Sequence, residues 1–277
     1  MRLILSRKGF DSTAGGCPSP IFPDGSMLSL PIPDKGSSIR YSEINWRGRN
    51  VGELVERLTK GKQRKDFRAH LDPDLRAEAL PRSAGWRPTL GQIGAAQGHL
   101  QNQGVAPGDL FLFFGLFRPV DSDLRPAGPP AHVIWAWMRV DQIVAIDSEV
   151  RPHPEKWSWL ERHPHLGFER SPRNVLYVAG RGSRVFDCYS SERRLTASDA
   201  TRPSDWELPL GFLPRVQSPL TFHGDPKRWS PRGDRVRLRA ASRGQEFVLD
   251  LDRYPEVCEW ISRLGVGRFD PRIKGSA

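Results

Sequence analysis

A chain of 277 residues is long enough to bury a substantial core, as one large domain or two small ones. Its 42 basic residues outnumber 32 acidic ones for a net charge of +10, and 38% apolar content with 26 glycines and 25 prolines describes a folded, loop-rich protein rather than a disordered one. Three widely spaced cysteines argue against a disulfide framework or a zinc knuckle, and no apolar run approaches the length of a membrane span, so a cytoplasmic location without membrane contact is expected.

Of the 42 cations, 34 are arginine and 8 are lysine. The planar arginine fork matches phosphates and base edges, which makes nucleic acid or a nucleotide the expected partner.

In chain order, Arg2–Leu5 reads as a strand, and residues 6–34 then form a long loop rich in Gly, Ser and Pro. Such a loop in a compact domain is a candidate binding or catalytic element. Its apolar anchors Ile21, Phe22, Met27, Leu28, Leu30 and Ile32 predict that it is ordered and that residues 1–49 pack on the rest of the chain. Lys8, Ser12, Gly15, Gly16 and Ser19 are candidate substrate contacts, with backbone amides open to a phosphate. Arg7 and Asp11 are candidate catalytic groups, whereas Cys17 reads as an incidental loop cysteine.

Asn50-Val-Gly-Glu53 is a capping box that opens a helix to about Lys60, where Gly61 ends it. The connector that follows carries Lys62, Arg64 and Lys65, candidate nucleic-acid contacts. His70 and Asp72, of general-base and metal-ligand type, share a face only if the segment is extended; the rival reading is a surface turn before a helix near Pro73. Thr89-Leu-Gly-Gln92 looks like a second capping box, and the helix predicted to Gln103 would carry Gln92 and Gln97 as candidate substrate contacts.

Strands are expected at Leu110–Phe117 and His132–Ile146, neighbours across a Pro-rich loop, and at Asn174–Ala179, Arg193–Thr196, Arg235–Ala240 and Glu246–Leu251. His163 and His165 flank Pro164 with no third ligand nearby in sequence, so no metal site is assigned. Arg235, Arg237 and Arg239 alternate with Val236, Leu238 and Ala240, which predicts a strand with one basic face able to track a nucleic-acid backbone. Glu246 opens an apolar strand after Arg243 and Gln245, a stiff place for a catalytic carboxylate, with those two as candidate substrate contacts. The alternative is an exposed ion pair between Glu246 and Arg243. Tyr254-Pro255-Glu256 starts a last helix, and Trp46, Trp86, Trp206 and Trp229 are the loop tryptophans placed to stack on bases.

No Walker loop, GxGxxG, GxSxG or HExxH motif is present, which removes ordinary kinase, dehydrogenase and hydrolase readings. The segments SRKGFDSTAGGCPSPIFPDGSMLSLPIPD, HLDPDL, GQIGAAQGHLQNQGV, GDLFLFFGLFR, NVLYVA, SDWELPLGF and RGQEFVLD resemble a bacterial and phage family of nucleotide modification associated domains, over nearly the whole chain. That resemblance implies an association with nucleotide or DNA base modification, and no reaction or catalytic residue. A weaker one, of the first-strand arginine, the hydroxyl-rich loop and QEFVLD to DNA-modifying ADP-ribosyltransferases, implies NAD as cofactor, Arg7 on its phosphate or nicotinamide end and Glu246 on its ribose. The chain lacks that group's Ser-Thr-Ser strand. A third similarity, of GDLFLFFGLFR and HVIWAWMRVDQIVAI to barrels that read modified bases, implies a binding module.

The expected fold is α+β: one domain over residues 1–277, with a mixed, mostly antiparallel sheet that curls toward a barrel and a few flanking helices. The expected function is nucleotide or DNA base modification of transferase or glycosyl-transfer type. The alternatives are a non-enzymatic reader of modified nucleic acid and an NAD-dependent enzyme acting on DNA.

Overall fold

The structure, a computed structural model, describes residues 1–242 and 246–266, without the side chain of Arg181. The candidate contacts Arg243 and Gln245 lie outside the described residues.

The chain opens with β1 (Arg2–Arg7), β2 (Ser19–Ile21), β3 (Ile32–Pro33), β4 (Asn45–Trp46) and β5 (Arg49–Asn50), then helix α1 (Val51–Leu58) and β6 (Ala69–His70). Next come β7 (Thr89–Gln92), α2 (Gly94–Asn102), β8 (Leu110–Pro119), β9 (Ala131–Ala145) and β10 (Val175–Val185). The last elements are β11 (Asp205–Pro209), β12 (Trp229–Arg232), β13 (Arg235–Arg239), β14 (Glu246–Asp250) and α3 (Val257–Ile261).

The main sheet runs β14-β1-β8-β9-β10-β7, with β2 added beside β8. Pairing is parallel between β1 and β8 and between β2 and β8, and antiparallel elsewhere. The result is the expected α+β fold in a single domain, with a curled mixed sheet that forms a half-barrel. β8 is central, and Leu110 to Phe114 are buried on both faces, as an uninterrupted apolar run requires. Each such phenylalanine or leucine contributes roughly 1.5–3 kcal/mol of burial free energy.

The curl brings the two edge strands together. Gln92 at the end of β7 donates from Nε2 to Oε1 of Glu246 at the start of β14, 2.5 Å away, although these strands are the opposite edges of the sheet. Closure is thus by side chains rather than by a backbone ladder. Helix α2 covers the gap with Gln97 and Leu100, and Gln97 accepts from the Tyr177 hydroxyl at 2.9 Å.

A second core underlies the N-terminal loop. Phe10, Phe22, Leu28, Leu30, Tyr41 and Trp46 bury together with Val51 and Val55 of α1, and Phe22 stacks on Trp46 at 5.1 Å. Asn50 caps α1 by accepting from Glu53 N, as the capping box implied.

Three expectations fail. Thr89–Gln92 is a strand paired with β10 rather than a helix start, and the helix begins only at Gly94. Arg193–Thr196 is not a strand: a short 3-10 turn covers Ser191–Arg193, followed by isolated bridges at Arg194 and Thr196. Trp46, Trp206 and Trp229 are buried, because each indole fills a core, and Trp86 alone of the four loop candidates stays half-buried. Among the described residues no helix is long and apolar enough to cross a membrane.

Candidate active site

The end of β1 and the mouth of the curl enclose a polar cavity of about 600 Å³. Arg7, Lys8 and Asp11 supply one wall, Gly91 and Gln92 of β7 another, and His70, Asp72 and His165 the floor. A second cavity, about 730 Å³, opens near Arg2, Arg215, Arg253 and Phe222. Its arginines are matched by Asp250 and Glu256, and it holds no cluster of titratable groups comparable to the first.

β1 and β14 pair in register Ser6↔Glu246, which sets Glu246 beside the strand end that carries Arg7 and Lys8. Lys8 Nζ lies 3.3 Å from Glu246 Oε1, with the carboxylate 1% exposed. Glu246 therefore stands one layer behind the cavity wall and holds Lys8 and Gln92 in place. Glu246 is buried rather than at an exposed strand end.

Asp11 folds the loop rather than facing outward alone. Its Oδ1 accepts from Thr13 N, Thr13 Oγ1 and Ala14 N, each at 2.7 Å, and Arg7 stands 3.7 Å from Oδ2. Burial opposes the charge, but those N–H groups, the hydroxyl and Arg7 outweigh it and hold the carboxyl below its ordinary range. The amides of Thr13 and Ala14 are thus already occupied. Ser12 is exposed and off the cavity wall, and Gly16 is exposed at the loop tip. Ser19 is buried, accepting from Leu30 N at 3.1 Å. Gly15 adopts φ +90° with the Phe10 ring 2.4 Å from where a Cβ would sit, so its role is in the fold.

β6 pairs with β3, Ile32↔His70, and the chain then bends tightly at Leu71, where Asp72 N donates to the His70 carbonyl at 2.9 Å, so a turn rather than an extended segment brings both side chains to the cavity. Asp72 is held rigidly. Gly91 N donates to its Oδ1 at 2.6 Å, and His163 Nε2 faces the same oxygen at 3.5 Å. Its other oxygen, Oδ2, faces two imidazole nitrogens, His165 Nε2 at 3.8 Å and His70 Nε2 at 3.9 Å. Burial alone would raise the Asp72 carboxyl, but His163, His165 and Lys8 hold it well below the usual carboxylate range.

Both rings are fixed from behind. Asp34 Oδ2 lies 2.8 Å from His70 Nδ1, and a carboxylate only accepts, so Nδ1 carries the proton. This bond also lowers the Asp34 pKa. Asn174 Nδ2 donates to the His165 carbonyl at 2.9 Å, which turns Asn174 Oδ1 toward His165 Nδ1 at 2.9 Å. Burial lowers the His165 pKa to about 4, so at neutral pH its Nε2 presents a bare lone pair.

His165 reaches this position because Gly91 has no side chain. A Cβ there would lie 2.3 Å from the His165 ring. Sequence reasoning set His163 and His165 aside for want of a nearby ligand; the partner, Asp72, lies more than ninety residues earlier. His70, Asp72 and His165 offer ligand atoms all within 4.8 Å of one another, a set able to hold a metal ion. Asp74, two residues on, turns away into a two-point pair with Arg82 at 2.6 Å.

The other candidates lie apart. Gln97 is buried against Tyr177, and Lys62, Arg64 and Lys65 are exposed beyond the end of α1. Arg235, Arg237 and Arg239 alternate with buried Val236 and Leu238, as predicted, but β11 sets acidic residues beside them. Arg237 pairs with Asp199 and, at 3.2 Å, with Glu207; Arg239 lies 3.8 Å from Asp205 and Arg235 4.0 Å from Glu207.

An α+β half-barrel closed by a side-chain bridge thus gathers cations, carboxylates and imidazoles around one cavity. The chain belongs to the family described as nucleotide modification associated domain 3, whose family pattern matches residues 2–250. That span contains every residue named for the first cavity. No curated protein and no solved structure matches the chain.

Proposed function

We propose that the protein is an enzyme that modifies a nucleotide or a base of nucleic acid, with the cavity at the end of β1 as its active site. The observation that carries this reading is the convergence of Lys8, Arg7, His70 and Asp72 on one cavity of about 600 Å³, within the range that holds small-molecule ligands. Arg7 and Lys8 supply the positive charge for a phosphate. His70 and Asp72, on the floor, supply proton-transfer groups. The family description supports nucleotide-related chemistry.

Glu246 acts here as a positioning residue: its carboxylate holds Lys8 at 3.3 Å and Gln92 at 2.5 Å. In the NAD-dependent variant of the reading Glu246 would touch a ribose, and its place behind the wall favours the positioning role instead.

The test incubates the protein with single-stranded DNA, double-stranded DNA and free nucleotides, with donors that include NAD, and follows nucleoside masses. A mass change is expected with at least one combination. Glu246→Gln keeps an acceptor for Gln92 but removes the charge that holds Lys8, and should lower turnover about a hundredfold with the fold intact. Full activity in that variant removes Glu246 from the machinery. Binding of nucleic acid with no mass change under any donor would establish the binding-module reading in place of the enzyme.

A further inference from the structure

We propose that His70, Asp72 and His165 bind one divalent first-row transition-metal ion, of the zinc, cobalt or iron(II) class, on the floor of the cavity. The inference deepens the reading of this cavity as the active site, and it rests on that reading only for the metal's use, not for its binding.

Three lone pairs at the floor lack a matching donor among the described residues. His165 donates from Nδ1 to Asn174 Oδ1 and His70 from Nδ1 to Asp34 Oδ2, so both rings turn the opposite nitrogen, Nε2, toward Asp72. Gly91 N–H occupies Asp72 Oδ1, and Oδ2 is the oxygen that the two Nε2 atoms face, at 3.8 and 3.9 Å. Two ring nitrogens and a carboxylate oxygen therefore point at a common centre with no donor hydrogen supplied by His165, and a cation is the partner that satisfies all three. Ligands about 2.1 Å from an ion stand roughly 3.0–3.5 Å apart, so each side chain closes in by less than about 1 Å.

The support behind the rings has the form that metal-binding histidines use. Each directs its remote N–H to an oxygen acceptor, which fixes the tautomer and the ring plane. Gly91 adds a steric device, because its missing Cβ is what lets the His165 ring lie against β7. Two imidazoles and one carboxylate suit a borderline transition metal rather than magnesium or calcium, which prefer oxygen. The cavity beyond His70 leaves positions on the ion for water or for a substrate oxygen, and Lys8 and Arg7 stand on the facing wall.

Metal-free full-length protein would be titrated with cobalt(II), followed by visible absorption and calorimetry, then challenged with zinc(II) and with magnesium(II). One cobalt per chain is expected, displaced by zinc and not by magnesium. His70→Gln and His165→Gln should each weaken binding at least about a hundredfold, and Asp34→Asn, which removes only the support behind His70, roughly 10- to 100-fold. His153→Gln, on an exposed loop, should leave binding unchanged. Should buried His165 prove necessary for folding, His70→Gln and Asp34→Asn decide the matter, with melting curves confirming a folded chain. The proposal is overturned if the folded wild type takes up no stoichiometric cobalt or zinc, which would make the cluster a polar network that only braces the fold. It is equally overturned if uptake survives His70→Gln undiminished. Neither outcome depends on turnover, so a cavity that modifies nucleotides without metal remains distinguishable from one that holds metal but no nucleotide.

Discussion

Two regions of this molecule use the same residue types to opposite ends. In the three-stranded sheet β11-β13-β12, polar groups meet complements: Arg237 faces Asp199 and Glu207, and Trp206 Nε1 donates to His132 Nδ1 at 2.9 Å. His223 is likewise matched, accepting at Nε2 from Ala241 N at 3.0 Å and giving Nδ1–H to the Thr221 carbonyl at 2.7 Å. In the cavity, by contrast, His70 and His165 are satisfied on one side of the ring and turn the other nitrogen to a carboxylate that offers no proton. Satisfied histidines join elements of a fold; half-satisfied ones, held rigid from behind, wait for a ligand.

The largest effect that would sharpen this contrast is on stability in acid. Burial lowers the pKa of His132 to about 3 and of His223 to about 4, from an ordinary value of 6.5. The unfolded chain therefore binds more protons than the native one below pH 6.5, so stability is complete above that value and is lost as pH falls toward 4. The two histidines together should cost roughly 3–6 kcal/mol over that range, read from urea midpoints against pH. Asp34, lowered by its bond to His70, acts further down, around and below 3.8. His223→Gln should make the decline shallower; an unchanged slope would mean that this histidine is not buried neutral.

The next effect tests the cavity itself. Gly91→Ala places a methyl group 2.3 Å from the His165 ring, and overpacking of this kind costs about 1–3 kcal/mol. Turnover and cobalt uptake should fall far more than a stability change of that size explains, because the ring is pushed off Asp72. A variant that melts lower yet keeps full uptake would show that His165 is packing alone.

The smallest effect compares the two basic regions. Lys8→Gln should lower the slope of log affinity against log salt by about one, as expected for loss of a phosphate contact. Arg235, Arg237 and Arg239 are already faced by Asp205, Glu207 and Asp199, so changing all three to Gln should alter the slope by less than about one. A drop of two or more on the triple change would place the nucleic-acid backbone on β13 after all.

Much of the scaffold is legible in the sequence. The unbroken run from Leu110 to Phe117 had to be a central strand, the alternation at Arg235–Ala240 a half-exposed one, and Asn50 with Glu53 a helix start. The misreading of Thr89–Gln92 has a clear cause: its Thr-x-x-Gln spacing mimics a capping box, but pairing with Val175–Val178 of β10 overrides so weak a local signal. Lys8, His70, Asp72 and Gln92 were legible as candidates through their residue types, Gly91 was visible only as a glycine, and His165 was discounted for lack of a neighbour.

Composition and periodicity by themselves determined the α+β class, the main strands and the basic character. Those properties depend on residues within a few positions of one another, which is the range over which backbone periodicity acts. Tertiary structure alone decided that Gln92 bridges to Glu246 across 154 positions, that His165 meets Asp72 beneath Gly91, and that the arginines of β13 stand beside Asp205 and Glu207 of β11. The reason is physical. Hydrogen bonds, ion pairs and metal coordination are settled within about 2–4 Å, and only the curl of the sheet sets which distant side chains come that close.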